Sequence, residues 1–261
     1  MSMLVPGYEI IRDLVKNGKR VDNREFIQYR GVTIEKEVVP NAEGSARARI
    51  GNTEVIVGVK LDIREPFPDT PNEGILICDA NLDQETEAEI PSYKEALEVA
   101  RVVDRCLRHS GFLNFSKLCI EEGKKVWAVN LDIAVINHDG NLFDAASLAA
   151  IVALSCTKLP KLEGENIVRE EKTNPLPLKM DNIPLLISIA GVEDKLLVDP
   201  NFEEEQASDF ILTLGISEGR ICAIQKRGLK GLPLSKIDGI LDLAFEIYSK
   251  QRESVLKFLN K

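Results

Sequence analysis

Hydrophobic and polar positions divide the chain into two parts, each containing strands followed by a helix. Residues Ser45–Leu61 alternate in polarity around a turn at Gly51-Asn52, which predicts a β-hairpin. The segment Asp209–Lys226 repeats this strand–turn–strand pattern in the second part. The repetition predicts an α+β fold made of two duplicated βαβα-type halves, with helices packed against two mixed sheets.

The other elements follow from the same periodicities. Further strands are predicted at Val32–Val39, Gly74–Ala80, Lys117–Ile120, Lys125–Ile136, Leu185–Ala190 and Lys195–Val198. Helices are predicted at Tyr8–Val15, Pro91–Ser110, Leu142–Cys156 and Ser235–Leu259. The second of these is the clearest, because proline suits a first turn and Gly111 can adopt the left-handed conformation that ends a helix.

These elements suggest four segments. Residues 1–30 form an N-terminal helix and a basic segment, and residues 31–160 form the first half. Residues 161–182 are polar and contain prolines, so they are predicted to connect the halves. Residues 183–261 form the second half, which ends in the long helix.

Composition restricts the possible functions. Apolar residues make up 44% of the chain and charged residues 29%, as in globular proteins. The net charge of −9 excludes a uniformly basic surface, although it permits a local basic patch. The N-terminus lacks a basic region followed by an apolar segment, and the longest nearly apolar stretch, Ala145–Leu154, is too short to span a membrane. We therefore expect a cytoplasmic protein without membrane association.

Histidine and cysteine usage argues against several kinds of site. The chain has only His109 and His138, so a histidine-rich zinc site cannot be built, and we expect no metal ligands. Cys106, Cys119 and Cys156 lie among apolar residues and are predicted to be small buried side chains. No nucleophile elbow, P-loop or dinucleotide-binding glycine motif is present, which disfavours hydrolases and nucleotide-binding proteins.

The helix Pro91–Ser110 carries a cationic stripe. At about 100° per residue, four basic side chains fall within about 60° of one another: Lys94, Arg101, Arg105 and Arg108. Glu98 and Asp104 lie at the edges and could pair with Arg101 and Arg108, which would make the stripe a solvated, salt-bridged face. Arg101 and Arg105 repel each other, however, and in an acidic protein this stripe is the best candidate for contact with nucleic-acid phosphates.

The turn His138–Asn141 precedes a predicted helix N-terminus, where an anion could bind. Asp144 in the first helical turn would repel a phosphate. Asn141 and Asp144 are therefore predicted to form an N-cap arrangement, and His138 is predicted to be a turn residue rather than a general base.

The acidic run Glu203–Glu205, with Asp199 and Asp209 nearby, could supply oxygen ligands for magnesium. Three adjacent glutamates point in different directions, and such runs usually lie on a solvated surface. The solvated surface is the favoured interpretation.

Several segments together resemble the RNase PH superfamily. Gly44–Val55 is similar to its G-S-A-x-x-x-x-G-x-T hairpin, and Asp139–Ala150 is similar to its D-G-G-[ST]-R-x-A turn before a helix. Val198–Glu205 resembles the V-D-x-x-x-E-E-D stretch of its second half. Ala100–Arg108 and an R-x-D-x-R motif at residues 20–24 extend the likeness over nearly the whole chain. Within this family, the chain resembles the non-catalytic ring subunit of the archaeal exosome.

This resemblance implies that catalysis has been lost. Active members hold inorganic phosphate with the arginine of the D-G-G-[ST]-R motif, and the corresponding residue here is Phe143. Glu205 stands where active members end the second-half motif with aspartate. We therefore expect no catalytic residue, no phosphate-binding residue and no cofactor in this subunit.

The resemblance also implies partners. A catalytic RNase PH-like sister subunit would alternate with this chain in a ring of three heterodimers, with RNA-binding cap subunits on one face. Single-stranded RNA would contact the cationic stripe, and inorganic phosphate would be the co-substrate at the partner's site. Two alternatives remain open: an active phosphorolytic 3′-exoribonuclease with an unusual site, and a stand-alone RNA-binding domain.

Overall fold

The computed structural model describes residues 6–82, 93–164 and 166–260, which form five helices and twelve strands. The helices are α1 (Pro6–Lys16), α2 (Tyr93–Ser110), α3 (Leu142–Cys156), α4 (Phe202–Ala207) and α5 (Ile237–Leu259). The strands of the first half are β1 (Val32–Lys36), β2 (Gly44–Ile50), β3 (Thr53–Arg64), β4 (Ile75–Leu82), β5 (Cys119–Glu121) and β6 (Lys125–Asn137). The later strands are β7 (Lys158–Glu163), β8 (Asn166–Pro175), β9 (Leu185–Val192), β10 (Lys195–Val198), β11 (Phe210–Ser217) and β12 (Arg220–Arg227).

The strands form two main sheets and a separate hairpin. The first sheet has the order β1-β2-β3-β6-β4, with β5 attached to β6, and its β4–β6 pair is parallel. The second sheet, β10-β9-β11-β12, is antiparallel throughout. The α+β class is confirmed, but the prediction of two mixed sheets is correct only for the first. Hairpin turns join the strands of the second sheet in pairs, and such short connections require antiparallel pairing.

Helix α3 lies between the two sheets, in contact with β2 and β3 on one side and β9 on the other. Residues 142–154 are all buried, as expected for a helix that is apolar on every face. Close approach depends on Gly44 in β2, since a Cβ there would lie 2.5 Å from the carbonyl oxygen of Ala153. The predicted bounds of this helix are confirmed, and its packing determines where the two sheets lie relative to each other.

Helix α2 packs against β4 of the first sheet and β12 of the second. Its predicted start at Pro91 lies outside the described residues, and its predicted end at Ser110 is confirmed. Ala100, Val103 and Leu107 are buried, whereas Leu97, which the helical pattern assigns to the same apolar face, is 44% exposed. The basic face of α2 therefore borders an exposed apolar side chain.

The predicted pattern misses three elements. Strands β7 and β8 form an antiparallel hairpin where the sequence favours a polar connection. Helix α4 includes the acidic run, and it starts with a capping box in which the side chains of Asn201 and Glu204 each accept a hydrogen bond from the other's backbone N–H group.

No helix in the described ranges combines the length and the apolar character needed to cross a lipid bilayer.

The basic N-terminal segment is held by acidic groups of the second half. Arg20 is completely buried, and its Nε and Nη2 atoms lie 2.8 and 2.5 Å from the two carboxylate oxygens of Glu204. Its guanidinium also donates to the backbone oxygens of Val198 and Asp199. Arg12 pairs with Asp209 at 2.7 Å. Arg12 and Arg20 therefore join this part of the chain to the second half by ion pairs, whereas Lys16 and Lys19 are exposed.

Removing Arg20 should destabilise the protein strongly. Arg20→Ala leaves the Glu204 carboxylate buried without its charged partner, which costs roughly 3–5 kcal/mol in free energy of unfolding. Urea denaturation of purified protein measures this loss. The control Lys257→Ala breaks the exposed i,i+4 pair with Glu253 and should cost about 0.5 kcal/mol or less. Equal losses of unfolding free energy in the two variants would contradict the conclusion that the buried Arg20–Glu204 pair holds the N-terminal segment to the second half.

Candidate functional site

The turn before α3 is shaped by Gly140 and Asn141. Gly140 has φ +79°, and a Cβ there would lie 2.3 Å from the backbone carbon of Asn201. Asn141 is also left-handed, with φ 58°, and its side chain does not cap the helix. Its amide instead donates to Asp144 and to Asp199, at 3.0 and 2.7 Å. The N-cap prediction is therefore wrong for the side chain: the carboxylates orient the amide through its Nδ2, and Oδ1, the atom that would cap the helix, has no partner among the described residues.

His138 belongs to the same turn, as predicted. Its Nδ1 accepts the N–H of Gly140 at 3.3 Å, and its ring meets Phe202 edge-on at 5.4 Å between centroids. Burial lowers the pKa of His138. These contacts assign the imidazole to local packing of the turn against α4.

Phe143 is buried on the first turn of α3, and the Arg227 guanidinium covers its ring at 4.6 Å from the centroid. Arg227 comes from the end of β12 and pairs with Glu205 at 3.1 Å. Glu205 also accepts the N–H of Asn141 at 2.9 Å. The start of α3 is thus covered by an arginine from the second half that the sequence patterns did not single out.

Asp199 is completely buried between the N-terminal segment and α3. Arg30 donates its Nε and Nη2 to the two carboxylate oxygens at 2.9 and 2.8 Å, and Arg24 approaches one of them at 3.0 Å. The amide of Asn141 donates to the other oxygen. Burial would raise the pKa of Asp199, but the hydrogen bonds and charge of Arg30 bring it below its usual value. Both oxygens of this carboxylate therefore accept hydrogen bonds from protein side chains.

The acidic run is not a solvated surface, which corrects the favoured interpretation. Glu203 is exposed, but Glu204 and Glu205 are buried and paired with Arg20 and Arg227. Helix α4 turns two of the three side chains inward, where arginines distant in sequence neutralise them. Asp209, considered with them as a magnesium ligand, pairs instead with Arg12 and Lys230. Within the described ranges, no cluster of acidic, histidine or cysteine side chains has the arrangement of a metal site.

Asp144 forms a buried polar network with the second sheet. Its Oδ2 accepts hydrogen bonds from Tyr29 Oη, Asn141 Nδ2 and Ser188 N, and its Oδ1 accepts one from Ser188 Oγ at 2.7 Å. Ser188 Oγ is in turn 2.9 Å from Thr213 Oγ1. Burial raises the pKa of Asp144 to about 7, although these donors favour the charged form.

The four basic residues of the cationic stripe have different environments. Lys94 and Arg101 are exposed, and Arg101 makes no hydrogen bond or ion pair with the part of the chain that the structure describes. Arg105 is half-buried and makes one long contact, 3.5 Å, to the backbone oxygen of Ile224. Arg108 donates to Asp104 and to the Leu76 carbonyl.

The two acidic residues at the edges of the stripe also differ in their partners. Asp104 pairs with Arg108 at 2.6 Å, as the helical spacing allows. Glu98 accepts a hydrogen bond from Gln225 at 3.1 Å instead of pairing with Arg101. Arg101 is consequently the most available guanidinium of the stripe, and Arg108 is the one most used within the protein.

The arginines that neutralise the acidic motif were not found as site residues from the sequence. Arg24 and Arg30 contact Asp199 across 175 and 169 residues, and no local pattern reports such pairing. Among these arginines, only Arg20 and Arg24 belong to a motif, the R-x-D-x-R spacing of the family resemblance. The alternation of residues in β12 predicts a strand, but it does not predict that Arg227, the last residue of that strand, contacts Phe143 and Glu205.

Comparisons with known proteins agree on one family. The family model described as 3′ exoribonuclease family, domain 1, matches residues 28–160, and the model of domain 2 matches residues 182–247. The exosome complex component Rrp42 of Methanopyrus kandleri is 40% identical over 92% of each chain. The Rrp42 component of Methanothermobacter thermautotrophicus is also 40% identical, over 96% of this chain and 93% of that one.

Solved structures give the same result. The Archaeoglobus fulgidus exosome with RNA bound to the active site contains a chain with a TM-score of 0.84 and 37% identity, over 95% of this chain and 97% of that one. A structure described as an archaeal exosome core matches with a TM-score of 0.85 and 37% identity, over 95% and 96% of the two chains.

The buried Asp144 predicts a specific pH dependence. Because its pKa is raised from 3.8 to about 7, the folded protein binds the extra proton between these values, and stability falls as pH rises through that window. Asp144→Asn keeps the Oδ2 acceptor, and Ser188 Oγ can accept from the new amide. The variant should therefore gain stability relative to wild type, by up to roughly 4 kcal/mol from pH 4 to pH 8.

Unfolding free energies of both proteins across this range measure the effect. Other titrating groups are common to the two proteins and cancel in the difference. A difference that stays constant with pH would show that Asp144 is ionised throughout.

Proposed function

The chain belongs to the 3′ exoribonuclease family, and on that premise we propose that it is a non-catalytic, RNA-binding subunit of an archaeal-type exosome. It serves in a complex that degrades RNA from the 3′ end with inorganic phosphate. The observation that carries this proposal is the covering of the start of α3 by Arg227, over a phenylalanine that replaces the family's phosphate-binding arginine.

The charges around that position support the proposed loss of catalysis. Phosphoryl transfer depends on positioned cations and free carboxylates. Here Phe143 offers no hydrogen bond, and Arg227 is engaged by Glu205. The carboxylates of Asp199 and Glu204 are each saturated by arginine and amide donors, which leaves no oxygen facing a metal ion. The acidic motif therefore has a structural role in place of a catalytic one.

RNA binding is assigned to the cationic stripe. Arg101 and Arg105 are its principal members, since Arg101 has no described partner and Arg105 has one weak contact. Lys94 extends the stripe toward the start of α2, and Arg108 adds weaker support because Asp104 already holds it. Guanidinium groups suit phosphates, since their planar donors bind two oxygens at once. Contacts of this kind do not depend on RNA sequence.

The partner is a catalytic RNase PH-like subunit. Three heterodimers form a ring, the stripe lies beside the partner's active site, and inorganic phosphate binds there as co-substrate. RNA-binding cap subunits complete the assembly. Support comes from the two relatives described as exosome components and from the exosome structure with RNA at its active site. The chain itself needs no cofactor.

The isolated chain should not release nucleoside diphosphates from RNA in the presence of phosphate. Phe143→Arg should also be inactive, because the new guanidinium would meet Arg227 and because Asp144 and Glu205 remain. The measurement is a phosphorolysis assay on purified chain, with circular dichroism to confirm that the variant folds. Turnover by the wild-type chain alone would favour the alternative that it is itself a phosphorolytic exoribonuclease.

Reversing two charges of the stripe should weaken RNA binding. Each lost charged hydrogen bond costs roughly 1.5–3 kcal/mol, so Arg101→Glu with Arg105→Glu should lower affinity by about one to a few orders of magnitude. The loss should be similar for different RNA sequences, and the salt dependence of binding should become shallower. Binding is measured on the ring assembled with the catalytic partner.

The matched control is Lys172→Glu with Lys179→Glu, which changes the net charge equally at two exposed residues outside α2. It should bind RNA within a few-fold of wild type. An intact ring with both stripe substitutions that binds and degrades RNA normally would show that the stripe is only a solvated face.

A further inference from the structure

Two cysteines from different halves of the chain face each other below the cationic stripe. The Sγ atom of Cys106 on α2 lies 3.7 Å from the Sγ atom of Cys222 on β12. Cys106 is buried, and Cys222 is partly accessible. The residues are 116 positions apart, so their approach depends on the packing of α2 against the second sheet.

The second sheet provides space for these sulfurs. Gly215 on β11 pairs with Ala223, the neighbour of Cys222. A Cβ at Gly215 would lie 2.9 Å from Cys106 Sγ and 2.9 Å from the Ala223 Cβ. Glycine is therefore the only residue that fits without displacing Cys106, and the sulfur occupies the room it leaves.

The two thiols are chemically unequal. The hydrogen bond from the Cys106 thiol lowers the pKa of Cys222, and the charge of Arg220 acts in the same direction. The same hydrogen bond and complete burial raise the pKa of Cys106. Cys222 is thus both the more accessible sulfur and the one that ionises first, which is the arrangement of an attacking thiol beside a resolving thiol. Burial raises the pKa of Cys78 and of Cys156.

We propose that Cys106 and Cys222 form a redox-active dithiol that low-molecular-weight disulfides oxidise to an intramolecular disulfide. The Cys222 thiolate attacks one sulfur of the small disulfide, forms a mixed disulfide and releases the first small thiolate. Cys106 then loses its proton to solvent and attacks Cys222 Sγ, which expels the second small thiolate. The two cysteines lose two electrons and two protons, and the small disulfide is reduced to two thiols.

The resulting bond joins the first half of the chain to the second. Sulfur atoms in a disulfide are about 2.05 Å apart, so side-chain rotation has about 1.7 Å to close. Since the bond spans 116 residues, it restricts the unfolded chain strongly and stabilises the folded one. It also fastens α2 to β12 next to Arg105, whose guanidinium contacts the Ile224 carbonyl.

The test uses the full chain and glutathione disulfide as the probe, at pH 8 without denaturant. Intact mass should decrease by two hydrogens, and alkylation after acid quenching and unfolding in denaturant should modify three of the five cysteines. Peptide mapping should place the bond between residues 106 and 222. Oxidation should raise the midpoint of thermal unfolding by roughly 5–15 °C.

Single-cysteine variants distinguish the attacking thiol, Cys222, from the resolving thiol, Cys106. Cys106→Ala should stop at a stable mixed disulfide with one glutathione on Cys222, whereas Cys222→Ala should leave Cys106 reduced. The control Cys156→Ala removes a partly accessible cysteine outside the pair and should be oxidised like wild type. The proposal is overturned if wild type keeps five alkylatable cysteines, bonds another pair, retains the mixed disulfide or shows no rise in unfolding midpoint.

Discussion

The burial of Asp199 is the constraint on which the arrangement of this protein depends. A carboxylate removed from water must be neutralised and hydrogen-bonded, and here the groups that do so come from two distant parts of the chain. Arg24 and Arg30 reach it from the N-terminal segment, and Asn141 reaches it from the start of α3. One acidic side chain of the second half thereby holds the segment that contains Arg24 and Arg30.

The same constraint applies to the two buried glutamates of the acidic motif. Each buried carboxylate of the motif has acquired an arginine partner, with Arg20 on Glu204 and Arg227 on Glu205. These pairs satisfy the oxygens that a metal ion would otherwise need. Arg227 also covers the ring of Phe143, so that one arginine of β12 contacts both the start of α3 and the acidic motif.

A buried polar centre and an exposed basic face are therefore separated in this fold. Helix α3 is buried between the sheets and carries the polar network of Asp144, whereas α2 lies across the edges of both sheets and keeps Arg101 exposed. The buried glutamates of the acidic motif pair with arginines outside α2, whereas Arg101 on α2 remains exposed.

Periodicity along the chain determined most elements, because backbone conformation responds to local alternation and helical spacing. The bounds of α3 and β10 were predicted, as were the β2–β3 hairpin and the end of α2. Helical spacing singled out the stripe on α2, and the family resemblance singled out Phe143. Tertiary structure alone decided that Glu204 and Glu205 turn inward, that Asn141 bridges two carboxylates and that Cys106 meets Cys222. These contacts join residues from different elements, and whether a charge is solvated or paired depends on neighbours that no local pattern specifies.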